Sequence, residues 1–242
     1  MLILYDIPSL HPDKNWSPNV CKPRLALNYK SIPYRTEWVE YPQIESLAQR
    51  LGVKPTSLKA DRVMPEYTLP IIHDESTGVS IADSLPIALY LEETYPGSPR
   101  LFPEGSKALR AAWDGPFCKR GLKILPSNVK MGLGSEEYFK RTKAAKLGRE
   151  RFEDIAPRGE KRRKHFEAWE EDLGKLNGRG ENMGYVMGDA ISYADFIVAG
   201  WVGLAMLVLD EGEWEGVKSW HGEFWGRALE GTDEWRVMSH ST

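Results

Sequence analysis

The stretch YTLPIIHDESTGVSIADSLPIALYLEETYP, residues 67–96, passes from one short apolar run to a second and then to a helical pattern that ends before Pro96. Two strands followed by a helix is the direct reading. Pro70 is the residue that needs explaining, because a trans proline between apolar strand residues interrupts pairing. One reading is an edge strand with an ordinary trans proline. The other is a proline at the strand's start in a cis bond. That bond would turn the Leu69 N–H and C=O toward a neighbouring site, free to pair with an extended peptide ligand as a further strand does. Asp83 and Ser84 open the helix, with Pro86 in its first turn. They read equally as a plain N-cap or as a ligand site. In the second case the helix-start N–H groups and the hydroxyl hold a carboxylate, and Asp83 accepts from an ammonium. A ligand with both groups on one carbon is an amino-acid end, such as a γ-glutamyl group.

Working outward, LILYDI is a strand, and KNWSPNVCKPR, residues 14–24, turns the chain into the segment PRLALNYK. YRTEWVEY alternates as a strand from Tyr34 to Tyr41, and IESLAQRLG is a helix that stops at Gly52. A polar loop, VKPTSLKADRVMPE, completes the approach to residue 67. The order is β-α-β-α-β-β-α by about residue 95, and the early helices favour a parallel pairing at the start. YPGSPRLFPEG, residues 95–105, has the composition of an interdomain connection. Beyond it SKALRAAWDGPFCKRGLKIL, SEEYFKRTKAAKLGRERFEDI, GEKRRKHFEAWEEDLGKL and ISYADFIVAGWVGLAMLVL read as helices. The tail from Trp214 carries Trp220, Trp225 and Trp235, expected as buried indoles that tie down the C-terminus.

The 242 residues are 41% hydrophobic with a net charge of −3, which gives no global reason to expect nucleic acid or an anionic membrane. The N-terminus lacks a basic n-region, and the longest apolar run, residues 196–209, is shorter than the roughly 20 residues of a membrane span. Two cysteines, Cys21 and Cys118, make neither a disulfide framework nor a metal cluster. A soluble intracellular protein, cytoplasmic and without a metal, is the expectation. No nucleophile elbow, phosphate loop or zinc-protease motif occurs. The basic run RGEKRRKHFEAWEEDL reads as a solvated helix with i,i+4 pairs, against the alternative of an anion-binding patch.

Ser17 before Pro18 is an N-cap with proline at N1. The same helix end favours an anion, and its hydroxyl can donate to a bound thiolate. Moving a thiol pKa from about 8.5 to about 6.5 takes roughly 2.7 kcal/mol. One charge-assisted hydrogen bond contributes about 1.5–3 kcal/mol. Cys21, one turn later, is either a semi-buried helix residue or a mimic of an active-site thiol. Pro23 falls inside the helix, so a kink or irregular first turn is expected.

These pieces together resemble the cytosolic glutathione transferases, and most closely the fungal class A enzymes related to bacterial β-etherases. WSPN after the first strand, TLPII, ADSLPIALYLEETYP and ISYADFIVAG with its Ser192–Asp195 capping box carry the resemblance in order along the chain. It implies a thioredoxin-like domain over residues 1–95, a linker over 96–105 and an all-helical domain over 106–242. It makes Ser17 the hydroxyl facing the glutathione sulfur, with Asn19 a second catalytic candidate. Leu69, before a cis Pro70, would pair with the cysteinyl part of glutathione, while Asp83 and Ser84 would hold the γ-glutamyl end. Basic residues of the 50–59 loop are candidates for the glycyl carboxylate. Trp113, Phe117 and Leu122 would line the electrophile pocket. The implied function is an enzyme conjugating glutathione, as co-substrate, to small aromatic electrophiles, with no metal, no nucleic acid, no membrane and a homodimeric state. A ligandin that carries aromatic compounds with weak turnover, or an etherase-like glutathione-dependent lyase, is the alternative.

Overall fold

The computed structural model describes residues 1–12, 14–104, 129–175 and 184–236. Along the first domain run β1 (Leu2–Asp6), α1 (Pro18–Tyr29), β2 (Tyr34–Trp38), α2 (Ile44–Arg50), β3 (Ser57–Leu58), β4 (Pro65–Glu66), β5 (Ile71–Asp74), β6 (Val79–Ala82) and α3 (Ser84–Thr94). The apolar LILYD of β1 is buried along its whole length, as a central strand covered on both faces must be. The sheet order is β2-β1-β5-β6. Leu2 lies opposite Tyr34 in the parallel pair with β2, which the α1 crossover permits. The other pairs are antiparallel, with Leu2 opposite Asp74 and Ile71 opposite Ala82. This is the expected thioredoxin-like arrangement.

The segments leading into and out of α2 differ from the sequence reading. The 53–66 stretch, expected as a polar loop, carries a separate hairpin in which Ser57 lies opposite Glu66. The strand expected to run to Tyr41 stops at Trp38, and Tyr41–Gln43 form a 3₁₀ turn. The Tyr41 N–H leaves the sheet because it donates to Ser135 Oγ of the second domain at 2.9 Å.

The second domain contributes α4 (Leu133–Lys146), α5 (Gly159–Gly174), α6 (Tyr193–Val208) and α7 (Glu211–Glu230), the last kinked where Trp220, His221, Gly222 and Glu223 leave the helical backbone. The stretch read as one helix from Ser135 to Ile155 breaks after α4. Gly148 takes a left-handed φ of 63°, and Phe152–Asp154 form a short 3₁₀ turn. Helix α5 is the expected solvated surface, with Lys164 paired to Glu160 at 3.7 Å and Lys175 to Glu171 at 2.9 Å. Trp225 is fully buried, whereas Trp214, Trp220 and Trp235 are only partly covered. Trp235 still anchors the chain end, since its carbonyl accepts from Asn28 Nδ2 of α1 at 2.6 Å.

Helix α6 is the buried helix of the second domain. Its start has the expected acid of the capping box: Asp195 accepts from the Ser192 N–H at 2.8 Å and from Ser192 Oγ at 2.9 Å. Helix α6 crosses the start of α1 so closely that a Cβ on Gly200 would sit 2.6 Å from the Pro18 carbonyl oxygen. On its other side α1 is tied to the sheet by buried Arg24, which pairs with Asp6 at 2.7 Å and reaches Thr36 Oγ1 at 3.0 Å. Pro23 has no N–H to bond the Asn19 carbonyl. Helix α1 nevertheless runs unbroken from Pro18 to Tyr29, so the expected kink does not occur. Packing on both faces offsets the lost bond.

Asp74, at the end of β5, holds α3 against the sheet. Its buried carboxylate accepts from Ser76 Oγ at 2.5 Å, Tyr90 at 2.7 Å, Tyr95 at 2.8 Å and the Ser76 N–H at 2.9 Å. Burial alone would raise its pKa, but these donors outweigh burial and hold it at about 2, below its ordinary 3.8. A depressed carboxylate stabilises the fold above its unfolded pKa, and that stability disappears as pH falls through the folded value. Acid unfolding of the protein should therefore lose an Asp74 contribution between pH 3.8 and about 2. Asp74→Asn should flatten that part of the stability profile and cost about 1–3 kcal/mol at neutral pH, measured by urea unfolding.

Candidate active site

A cavity of about 390 Å³ opens between the domains. Ser17, Asn19 and Leu69 line it from the first domain, and Tyr138, Thr142, Lys143 and Lys146 of α4 line it from the second. Ser17 takes the extended backbone of an N-cap (φ −69°, ψ 118°), with Pro18 following at the first helical position. Its side chain makes no capping bond to the helix amides, and the residue is only 7% exposed. The cap is therefore supplied by backbone geometry, and the hydroxyl is not committed to it. The α1 N-terminus leaves donor N–H groups and the positive end of the helix dipole on this side. Asn19 is exposed at the same turn, and its Oδ1 accepts from Lys22 Nζ at 3.1 Å. That contact orients the amide so that its NH₂ points away from the lysine.

Leu69 is buried, and the Leu69–Pro70 bond is cis. Leu69 lies two residues before β5, outside the ladder. Asp83 and Ser84 do not line the cavity itself. They adjoin it, because the Asp83 N–H donates to the Pro70 carbonyl at 3.1 Å and so ties the start of α3 to the turn carrying Leu69. Asp83 caps α3 by accepting from the Ser84 N–H at 2.7 Å. It does so with a φ of 77° and a ψ of 137°, which a residue with a Cβ rarely adopts. Strain of this kind, of order 1–3 kcal/mol, persists where the surroundings over-determine the backbone and concentrates at binding sites. Sequence reasoning expected either a plain cap or a ligand-holding start, and the backbone here is not that of a plain cap.

Of the basic residues in the 50–59 loop, Lys59 reaches the cavity and pairs with Glu45 at 2.8 Å. The expected electrophile wall of Trp113, Phe117 and Leu122 lies outside the described residues. The described aromatic surface comes from Tyr41, Tyr67 and Tyr138, and the rings of Tyr41 and Tyr138 stack at 6.2 Å and 22°. Burial pushes the Tyr41 phenol well above its ordinary value, so it is present as a neutral hydroxyl. The contributions of Tyr41 and α4 were missed from sequence. SEEYFKRTKAAK shows a helical face but not the surface that face will meet.

Cys21 does not face this cavity. It lines a separate space of about 140 Å³ behind α1, with Trp16, Arg24, Gly200 and Arg236. Burial pushes its thiol up to about 11, so it does not act as an active-site thiolate.

Residues 12–99 match the glutathione S-transferase N-terminal domain family, and residues 118–235 match the glutathione S-transferase C-terminal domain family. The chain is 35% identical to the glutathione S-transferase-like protein ustS of Aspergillus flavus, across 100% of this chain and 96% of that protein. A glutathione S-transferase of Ceriporiopsis subvermispora, solved in complex with glutathione, superposes with a TM-score of 0.89 at 39% identity, covering 99% of both chains. The glutathione transferase GSTFuA3 of Phanerochaete chrysosporium superposes with a TM-score of 0.87 at 33% identity, over 99% of this chain and 98% of that one. The chain belongs to the glutathione S-transferase family, with fungal enzymes among its relatives.

With its thiol pKa near 11, Cys21 should resist alkylation. At about pH 7.5 its thiolate fraction is roughly 100-fold below that of a thiol at its ordinary value of 9.0. Peptide mapping after iodoacetamide treatment checks this, and rapid labelling of Cys21 in the folded protein would contradict it.

Proposed function

We propose that the protein conjugates glutathione to small aromatic electrophiles, with Ser17 donating its hydroxyl hydrogen bond to the glutathione thiolate. The observation that carries this reading is the Ser17 hydroxyl. It stands at the start of α1, lines the interdomain cavity and makes no bond to its own helix. Asn19 is a second donor on the same turn. The backbone of Leu69 pairs with the cysteinyl part, Asp83 and Ser84 take the γ-glutamyl end, and Lys59 is the candidate partner of the glycyl carboxylate. On this reading residues 1–95 bind glutathione, residues 96–105 connect, and residues 106–242 complete the electrophile site. The working state is a cytoplasmic homodimer.

The chemistry needs no covalent enzyme intermediate. The thiol proton leaves to water, and the sulfur lone pair attacks an electron-poor ring carbon. A carbon–sulfur bond forms while the leaving group departs with its electron pair. Ser17 favours the anion without losing its own proton, and the cavity holds the electrophile close to the sulfur. The stacked Tyr41 and Tyr138 rings support an aromatic ligand. The same wall would serve a carrier, so turnover and binding must both be measured. Micromolar affinity for aromatic ligands with conjugation at background in the wild type would establish the carrier reading instead. Cleavage of an aryl ether by glutathione would establish the lyase.

Ser17→Ala should raise the pKa of the bound thiol by about 1–2 units, the equivalent of one charge-assisted hydrogen bond. At about pH 6.5 it should lower kcat/KM toward chlorodinitrobenzene by roughly 5- to 50-fold. A pH–rate profile identical to the wild type would refute the serine mechanism.

A further inference from the structure

The cavity is lined by matched numbers of opposite charges: Glu45, Asp61 and Glu66 against Lys59, Lys143 and Lys146. They are not matched in contact. Lys59 pairs with Glu45 at 2.8 Å, and Lys146 of α4 pairs with Glu66 of β4 at 2.5 Å. Asp61 turns to the backbone and accepts from the Val63 and Met64 N–H groups, each at 2.9 Å. Lys143 is left over. It makes no ion pair among the described residues, and its ammonium lies 5.6 Å from the centroid of the Phe139 ring. It is partly buried, and both burial and the neighbouring Lys146 work against its charge, with Glu66 only partly opposing them. A partly desolvated cation facing a cavity without its own counter-ion is suited to an anion that arrives with a ligand.

On the reading proposed above, glutathione does not supply that anion. Its two carboxylates are met by the start of α3 and by the 50–59 loop, both in the first domain. Lys143 belongs to the second domain, one turn beyond Tyr138 and Phe139. We propose that Lys143 is a specificity-determining residue of the acceptor site, and that the preferred electrophile is an aromatic carboxylate whose ring lies against Tyr41 and Tyr138. This rests on the conjugase reading and adds a substrate class to it. In the reaction the carboxylate stays bound to Lys143 and takes no part in bond making. The carbon–sulfur bond forms at the activated ring carbon, and the bond to the leaving group breaks.

The test compares chlorodinitrobenzene with its ring-carboxylated analogue chlorodinitrobenzoate, each rate corrected for the uncatalysed reaction. Wild-type protein should favour the carboxylate, and Lys143→Met should lower that selectivity ratio about 10-fold, the lower range for one charge-assisted hydrogen bond. Lys143→Arg should retain the preference, and Lys146→Met, which removes a lysine already paired, should change it less. Equal losses on both electrophiles in Lys143→Met, or a rise confined to the KM for glutathione, would overturn the assignment. Equilibrium dialysis with the unreactive pair dinitrobenzoate and dinitrobenzene, with S-methylglutathione present, reads the same preference without turnover. If conjugation is absent but the dialysis preference depends on Lys143, the conjugase reading fails and the carboxylate site stands. If wild type shows no preference in dialysis, the carboxylate site fails whatever the rates.

Discussion

Helix α1 is clamped from two sides, and the candidate site depends on that clamp. Below it, Arg24 is buried against the sheet and joined to Asp6 of β1, Tyr34 and Thr36 of β2. Burial disfavours charge on Arg24, but Asp6 outweighs this and keeps it cationic. Removing one partner of such a pair typically costs about 3–5 kcal/mol, because the other charge remains buried and uncompensated. Above it, α6 presses against Pro18 at a place where only glycine fits. Between these contacts the first turn of α1 has little room to move. Ser17, one residue before the helix, inherits that position.

The remaining ligand-facing parts are fixed by different means around the same centre. Asp74 holds α3 through two tyrosine hydroxyls, and Asp83 then binds the α3 start to the Pro70 carbonyl. The second domain reaches the cavity through α4, which is locked to the 40–43 segment by Ser135. That hydroxyl accepts from the Tyr41 N–H and donates to Glu40. Phe139 sits at this junction with Trp16, Tyr41 and Phe152. The cavity is therefore built where the two domains are joined by aromatic packing, and its charges are arranged around one lysine that has no ion-pair partner among the described residues.

Much of this was legible in sequence wherever the device is local. Ser17 before Pro18, Asp83–Ser84 before Pro86, and Ser192 with Asp195 each announce a helix start within four residues. Their spacing along the chain carried the resemblance to glutathione transferases and with it the cis bond at Pro70. What was not legible depends on partners distant in the chain. The 57–66 hairpin has strands too short to show a period. The end of α4 turns on Gly148 adopting a positive φ, which the surrounding helical pattern conceals. Pro23 was expected to bend α1, and only the packing on both faces explains why it does not. Lys143 looks like any lysine on an amphipathic helix until α4 is placed over the first domain.

The most direct measurement of the central claim is the pKa of the bound glutathione thiol in Gly200→Ala, read by thiolate absorbance alongside a denaturation curve. A Cβ at this position meets the Pro18 carbonyl oxygen at 2.6 Å, so the start of α1 must shift while Arg24 still holds the rest of the helix. The account predicts a folded protein whose bound thiol titrates closer to the free value of about 8.5. A folded variant with the wild-type thiol pKa would show that the seating of α1 on α6 does not position Ser17, and would contradict the account.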